Sequence, residues 1–242
     1  MSPRPAHIGG ADAFQRAFGV SRETLDRLKT YESLLKTWQR TINLVAPSTL
    51  EDVWHRHFAD SAQLLAFGGV SRESGSFGPA DGAKSEGEKH PSPRNWLDLG
   101  SGGGFPGLVL AILLAERDPE ARMTLVESDS RKAAFLGEVA RKTGVAVEIR
   151  TERSEKFATQ AKSQIRDVIT ARALAPLPKL LGLVLPYFSP QTVAVFPKGR
   201  DAAAELAQAA EAFSFDATAE PSLTDDEARI VILRNLAVKT EG

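Results

Sequence analysis

Between Ala11 and Phe67 apolar residues recur every three or four positions, the period of a helix with one buried face. In "SRETLDRLKTYESLLKTWQR" this period sets Leu25, Leu28, Leu34, Leu35 and Trp38 on one side, and Ser21, Glu23 and Thr24 supply helix-start chemistry. After a break at Pro47, "TLEDVWHRHFADSAQLLAF" resumes the pattern. Residues 68–94, "GGVSRESGSFGPADGAKSEGEKHPSPR", hold six glycines, three prolines and almost no large apolar side chain. Such a segment buries too little surface to order itself and is expected to be a flexible linker or insertion. From Asn95 the rhythm alternates. Strand-like runs "NWLDL", "RMTLVE", "VAVEIR", "DVITAR" and "TVAVFPK" are separated by helical stretches that begin near Pro106, Ser130, Ser154, Ala175 and Asp201. This order predicts a mostly parallel α/β sheet covered on both faces. "AFSFDAT" and "ARIVILRN" are separated by only nine residues, "AEPSLTDDE". That is too few for a helical crossover, so the two should pair antiparallel and finish a seven-stranded sheet. The expected organisation is a helical cap over 1–67, the 68–94 segment, and an α/β domain over 95–242.

Composition narrows the classes. With 242 residues, 42% of them apolar, the chain can bury a substantial core. No apolar run approaches the ~20 residues that span a bilayer. The start, "MSPRPAHIGGADAF", lacks the basic-then-apolar order of a secretory signal, so a soluble cytoplasmic protein is expected. There is no cysteine, which removes disulfides, cysteine-ligated zinc, iron–sulfur clusters and thiolate nucleophiles. No metal site is expected. The net charge of −1 does not advertise a nucleic-acid binder, but its distribution is uneven. Residues 131–200 carry 13 Lys+Arg against 5 Asp+Glu, whereas 201–242 carry 3 against 9. A local anionic partner therefore remains open beside the plainer reading of solvated helix faces.

The chemistry concentrates in "LDLGSGGGFPG", with four glycines in the five residues from Gly100 to Gly104. The loop follows the first strand and precedes a helix, where open α/β sheets receive ligands. Gly102, Gly104 and Gly107 satisfy G-x-G-x-x-G, and Glu127 follows at a suitable distance for a ribose hydroxyl, so a dinucleotide is one reading. Two features weigh against it. Asp98 at the strand end would repel a pyrophosphate, and Pro106 removes an N–H from the helix start. The same carboxylate would suit a ligand bearing an ammonium and a sulfonium. Asp98-x-Gly100-x-Gly102-x-Gly104 with Glu127 thus favours S-adenosylmethionine, without excluding a nicotinamide dinucleotide and an oxidoreductase.

The segments "TWQRTINLV", "HRHFADSAQLL", "LDLGSGGGFPGLVLAI", "TLVESDSRKAAFL", "RSEKF", "DVITARALAPL" and "ARIVILRN", in this order, resemble the bacterial 16S ribosomal RNA guanine-N7 methyltransferase family, also called glucose-inhibited division protein B. The resemblance spans nearly all the chain outside the first 20 residues and 68–94. It implies a Rossmann-like class I S-adenosylmethionine-dependent methyltransferase with an N-terminal helical cap. The implied substrate is a guanine in a decoding-region loop of the small subunit. Family cofactor positions carry over to Gly100, Phe105, Ser154, Glu155 and Arg172, with Glu127 expected at the ribose. This chain has Ser101 and Gly103 where the family often has threonine and proline.

The remaining candidates each have a plainer alternative. Arg172, after "DVITA", suits a carboxylate or phosphate bidentately and is the one candidate for a catalytic role; otherwise it is a salt bridge. Ser154 and Glu155 also fit a helix start, with serine capping. In "RHFADS", Arg56 and Asp60 are spaced for an intrahelical ion pair, while Arg56 and His57 stand as candidates at the active-site mouth. Lys198 and Arg200 in "FPKGR" are candidates for RNA phosphate. Guanine N7 carries a free lone pair, so no general base is needed and none is evident. The expected partner is 16S ribosomal RNA within 30S particles, without a membrane, and the chain is expected to be a monomer. A non-catalytic ribosome-assembly factor is the other alternative.

Overall fold

The computed structural model describes residues 7–69, 94–160 and 165–239. Two helices open the chain, α1 (Ala11–Phe18) and α2 (Arg22–Trp38). The left-handed Gly19 ends α1, and Ser21 caps α2 by accepting from the Thr24 N–H at 3.1 Å. The apolar stripe of α2 buries Leu25, Leu28, Tyr31 and Leu35, while Leu34 and Trp38 are only partly covered. The expected second helix is not uniform. A 3-10 turn spans Pro47–Thr49, a π-helical turn spans Trp54–Ala59, α3 is Asp60–Ala62, and 3-10 turns follow over Gln63–Phe67. Most of the 68–94 segment lies outside the described residues.

The strands and helices then alternate as β1 (Asn95–Leu99), α4 (Gly107–Arg117), β2 (Arg122–Val126), α5 (Ser130–Thr143), β3 (Val147–Arg150), α6 (Ser154–Gln160), β4 (Val168–Ala171), α7 (Leu177–Val184), β5 (Val193–Lys198), α8 (Ala202–Ala212), β6 (Phe213–Pro221) and β7 (Arg229–Val238). They form one seven-stranded sheet in the order β3-β2-β1-β4-β5-β7-β6. The first five strands are parallel, and β7 pairs antiparallel with both β5 and β6. The sequence expectation of a parallel sheet closed by an antiparallel hairpin holds.

Strand alternation sorts the core into two layers. Trp96, Val168 and Val195 join the core shared with α4, α5 and the N-terminal helices. Leu97, Leu99, Ile169 and Phe196 face the opposite core, with Leu180, Leu181 and Tyr187. Phe14, Leu28 and Tyr31 belong to the same continuous cluster as Val109 and Leu136, so the N-terminal helices are built into the sheet's own core. β1 and β4 are neighbours although the chain runs β1-β2-β3 away from them; this is the switch point, where the loops after β1 and β4 meet.

Candidate active site

The loop after β1 is held by its own fold before any ligand is considered. The N–H groups of Gly100 and Ser101 both donate to the Val126 carbonyl, at 2.9 and 3.0 Å, and Gly104 N–H closes a turn onto Ser101 O at 2.7 Å. Gly100, Gly102 and Gly104 have φ of 69°, 54° and 91°, a region that strongly favours glycine. Their surroundings differ. A Cβ on Gly100 would fall 2.7 Å from Leu174 Cδ1, and one on Gly103 would fall 3.0 Å from Leu44 O. One on Gly104 would overlap the Tyr31 hydroxyl. At Gly102 nothing stands closer than the loop's own Gly100 O at 3.8 Å. Close approach therefore comes from the protein at three positions, and Gly102 is the open one.

Glu127 follows β2 and is braced by this loop. Its Oε2 accepts from Gly102 N–H at 2.7 Å and its Oε1 from Asp129 N–H at 2.8 Å. A carboxylate has about four acceptor sites, so two backbone donors leave capacity for a ligand's hydroxyls. Beyond it, Ser128, Asp129, Ser130, Thr151, Glu152, Arg153 and Lys156 line an open polar cleft of about 480 Å³ between the loops after β2 and β3.

Ser154 and Glu155 stand beside that cleft, at the start of α6. Phe157 N–H bonds to Arg153 O at 3.0 Å, so Arg153 takes the capping position and Ser154 is the first residue inside the helix. This corrects the expected serine cap. The Glu155 carboxylate extends outward, 3.7 Å from Lys179 Nζ.

Asp98 is not where the sequence suggested. Alternation along β1 turns its side chain into the layer beneath α4, where it is fully buried. Its Oδ1 accepts from Thr170 Oγ1 at 2.7 Å, and a Cβ on Gly107 would lie 2.6 Å from its Oδ2. Burial pushes the carboxyl up to about 6, against the opposing pull of the Thr170 hydrogen bond, of the nearby Ser101 hydroxyl and Gly107 N–H dipoles and of the Arg172 charge. Asp98 is a strut between β1, β4 and the start of α4. The expected contact between its carboxylate and a ligand's ammonium is withdrawn.

Arg172 leaves β4 at the switch point and reaches the N-terminal helices. Its guanidinium pairs with Asp60 Oδ2 at 3.1 Å and donates to Arg56 O at 3.3 Å and to His57 Nδ1 at 2.8 Å. It also lies over the Phe105 ring, 5.3 Å from the centroid. Both readings of Arg172 thus meet in one residue: it is a salt bridge, and it stands at the ligand-facing edge. Ala173, next in the chain, has φ 54°, a left-handed conformation that costs energy outside glycine. It turns the chain so that Leu174 covers Gly100.

The partners of Arg172 fix one tautomer. Arginine only donates, so His57 Nδ1 accepts and Nε2–H donates to Thr49 Oγ1 at 2.7 Å; Thr49 in turn donates to Ala46 O at 2.8 Å. Burial, and then the charges of Arg172 and Arg56, lower His57 to about 3, so it is neutral at ordinary pH. The Arg56–Asp60 ion pair, the plainer of the two alternatives for this segment, is not formed. Asp60 accepts instead from Arg172, Thr224 and Gln63, while Arg56 lies 3.4 Å from Asp225.

The two RNA candidates at the end of β5 separate. Lys198 Nζ is held inside, 2.8 Å from Glu205 Oε2 and 3.1 Å from Ala175 O, with its side chain 10% exposed. It is not presented to an RNA phosphate, which corrects that expectation. Arg200 is exposed, 3.4 Å from Glu227. Phe105 is buried between Tyr31, His57 and Phe58, so its side chain belongs to the cap interface. Among the described residues no group of three His, Asp or Glu is placed to hold a metal, and no helix is long and apolar enough to cross a membrane.

Sequence reasoning missed Tyr31, Asp60 as the Arg172 partner, and Ala173. Tyr31 was findable, since it lies three residues from Leu28 and four from Leu35 on the buried stripe. The family described as rRNA small subunit methyltransferase G matches residues 85–231. This chain belongs to the rRNA small subunit methyltransferase G family. It is 46% identical over 226 residues to the ribosomal RNA small subunit methyltransferase G of Parvibaculum lavamentivorans, covering 93% of this chain and 89% of that one. To that of Rhodospirillum centenum it is 47% identical over 233 residues, covering 96% and 94%. Among solved structures, it is similar to an O-methyltransferase from Bacillus cereus in complex with SAH, with a TM-score of 0.55 and 15% identity over 86% of this chain and 91% of that one. It is likewise similar to a point mutant of MtNAS in complex with S-adenosylmethionine, with a TM-score of 0.51 and 15% identity over 96% and 85%. These likenesses show a shared fold, that of the class I methyltransferases. For an rRNA small subunit methyltransferase G family member, the nicotinamide reading of the glycine loop falls away.

Proposed function

We propose that this protein transfers the methyl group of S-adenosylmethionine to N7 of a guanine in 16S ribosomal RNA. The observation that carries the reading is Glu127: a carboxylate, braced by Gly102 and Asp129 N–H groups, next in the chain to the Ser128–Ser130 wall of a polar cleft. It presents acceptors where a pyrophosphate would need donors. The residues present fit the donor. Gly102 leaves open space beside the loop, Glu127 would accept from the ribose hydroxyls, and the 128–130 and 151–156 walls would enclose the adenine side. Gly100, Phe105, Ser154, Glu155 and Arg172 are the positions the family resemblance assigns to the same ligand; at Phe105 the backbone is the contact, since the ring is buried. When bound, S-adenosylmethionine supplies an electrophilic methyl group on a sulfonium.

The chain's own task is positioning. The glycine loop and Glu127 would fix one reactant, and Arg56 and Arg172, with His57 buried behind them holding Arg172, would orient the other. A guanidinium has no acceptor, and His57 is held neutral, so neither is suited to take up a proton near neutral pH. Guanine N7 needs no deprotonation, and alignment with exclusion of water supplies the rate. The net charge of −1 supports assembled or partly assembled 30S particles, rather than naked RNA, as the preferred substrate. Incubating the protein with methyl-labelled donor and either 30S particles or naked 16S RNA tests this. Label is expected in the RNA, more with particles. Particle binding without label transfer would instead support a non-catalytic assembly factor.

A further inference from the structure

We infer that Tyr31, from the N-terminal cap, is a positioning residue for the donor loop: its hydroxyl fixes the Gly103 carbonyl and thereby sets donor affinity. The inference rests on the donor reading above. Tyr31 sits in the middle of α2, fully buried, and its hydroxyl donates to Gly103 O across 72 positions of chain. Its ring cannot swing away. It stacks on Phe105 at 5.2 Å and 14°, and meets Phe58 edge-on at 5.2 Å and 88°. Phenylalanine would fill this aromatic cluster as well, without a polar atom to desolvate. A buried hydroxyl without a partner costs free energy, and the partner here is the glycine loop.

The loop is shaped to receive it. Gly104 has no room for a Cβ because the Tyr31 hydroxyl occupies that space, and Gly103 is crowded in the same way by the Leu44 carbonyl of the cap. These two glycines admit the cap, while Gly102 faces open space. The loop is thus gripped on either side of the Gly102–Gly103 peptide, with Glu127 taking the Gly102 N–H and Tyr31 supplying the donor to the Gly103 carbonyl. Releasing the Tyr31 grip leaves the Gly103 oxygen buried without its donor and lets the loop between Gly102 and Gly104 shift.

Tyr31→Phe keeps the ring and removes only the hydroxyl. Phe14→Leu serves as the control: Phe14 is fully buried in α1, packs on Phe18 and Trp54, and loosens the cap without touching the loop. Calorimetric titration with S-adenosylhomocysteine is done well below each protein's melting temperature. Tyr31→Phe is expected to weaken binding about five- to tenfold, the worth of one buried hydrogen bond, whereas Phe14→Leu stays within about twofold of wild type despite its lower melting temperature. Wild-type affinity in Tyr31→Phe, or equal losses in both variants, would overturn the inference while leaving the donor reading intact. Failure of the wild-type protein to bind would overturn both.

Discussion

Asp98→Asn isolates the energetic cost of a carboxyl buried under α4. The change keeps the side chain's shape and its acceptor for Thr170 but removes the titration. Burial raises Asp98 from an ordinary 3.8 to about 6, so between those values the folded protein holds a proton that the unfolded chain has released. The Asp98 contribution is therefore fully present below the unfolded value and is lost as pH rises through about 6. A gap of about two units corresponds to about 3 kcal/mol at neutral pH and about 1 kcal/mol near pH 4.5. Relative to the asparagine variant, wild type should thus lose about 2 kcal/mol between about pH 4.5 and about pH 7, or roughly 4–8 °C in melting temperature for a chain of this size. Denaturant melts of both proteins across this range are the assay, and titrations common to the two cancel in the difference. Parallel pH profiles would refute the placement of Asp98 as a buried strut.

Three further outcomes follow from the same geometry. His57 behaves in the opposite sense: its folded value of about 3 lies below the unfolded 6.5, so stability present above about pH 6.5 drains on acidification. Wild type should lose up to about 2 kcal/mol between pH 7 and 5 relative to His57→Gln, whose amide can still accept from Arg172 and donate to Thr49; this is read by urea denaturation. A double-mutant cycle of Arg172→Lys and Asp60→Asn should give a coupling of about 1–2 kcal/mol in stability, because the pair is mostly buried and close; additivity would show the bridge to be idle. Glu127→Gln sets an amide donor against the Gly102 or Asp129 N–H, and should weaken S-adenosylhomocysteine binding at least about tenfold by calorimetry.

The sheet was legible because its strands are short apolar runs punctuated by glycine and helix-start residues; β1 falls on "NWLDL" as expected, and β6 and β7 pair as the nine-residue gap required. The cap was less so. Periodicity detects an apolar stripe but not pitch, so it does not show the π-turn over Trp54–Ala59, and Arg56 and Asp60 take partners from outside their own segment, Asp225 and Arg172. In the candidate site, the glycine cluster and Glu127 stood out, since their types and spacing carry the chemistry. Asp98 misled because a motif gives a position along the strand and not the face its side chain takes. Lys198 misled for a related reason: Glu205, seven residues on, folds back to it from α8. The Arg172 network was invisible because it joins residues 112 to 116 positions apart, through contacts only the folded cap supplies.

The most direct test of the central claim is to map methylation at nucleotide resolution. 30S particles from cells lacking this protein, incubated with it and S-adenosylmethionine, are probed for 7-methylguanine by reductive strand cleavage. The account predicts cleavage at one guanine of 16S RNA, absent without the protein or without the donor. No new cleavage, or a methyl group on an atom other than N7, would contradict it.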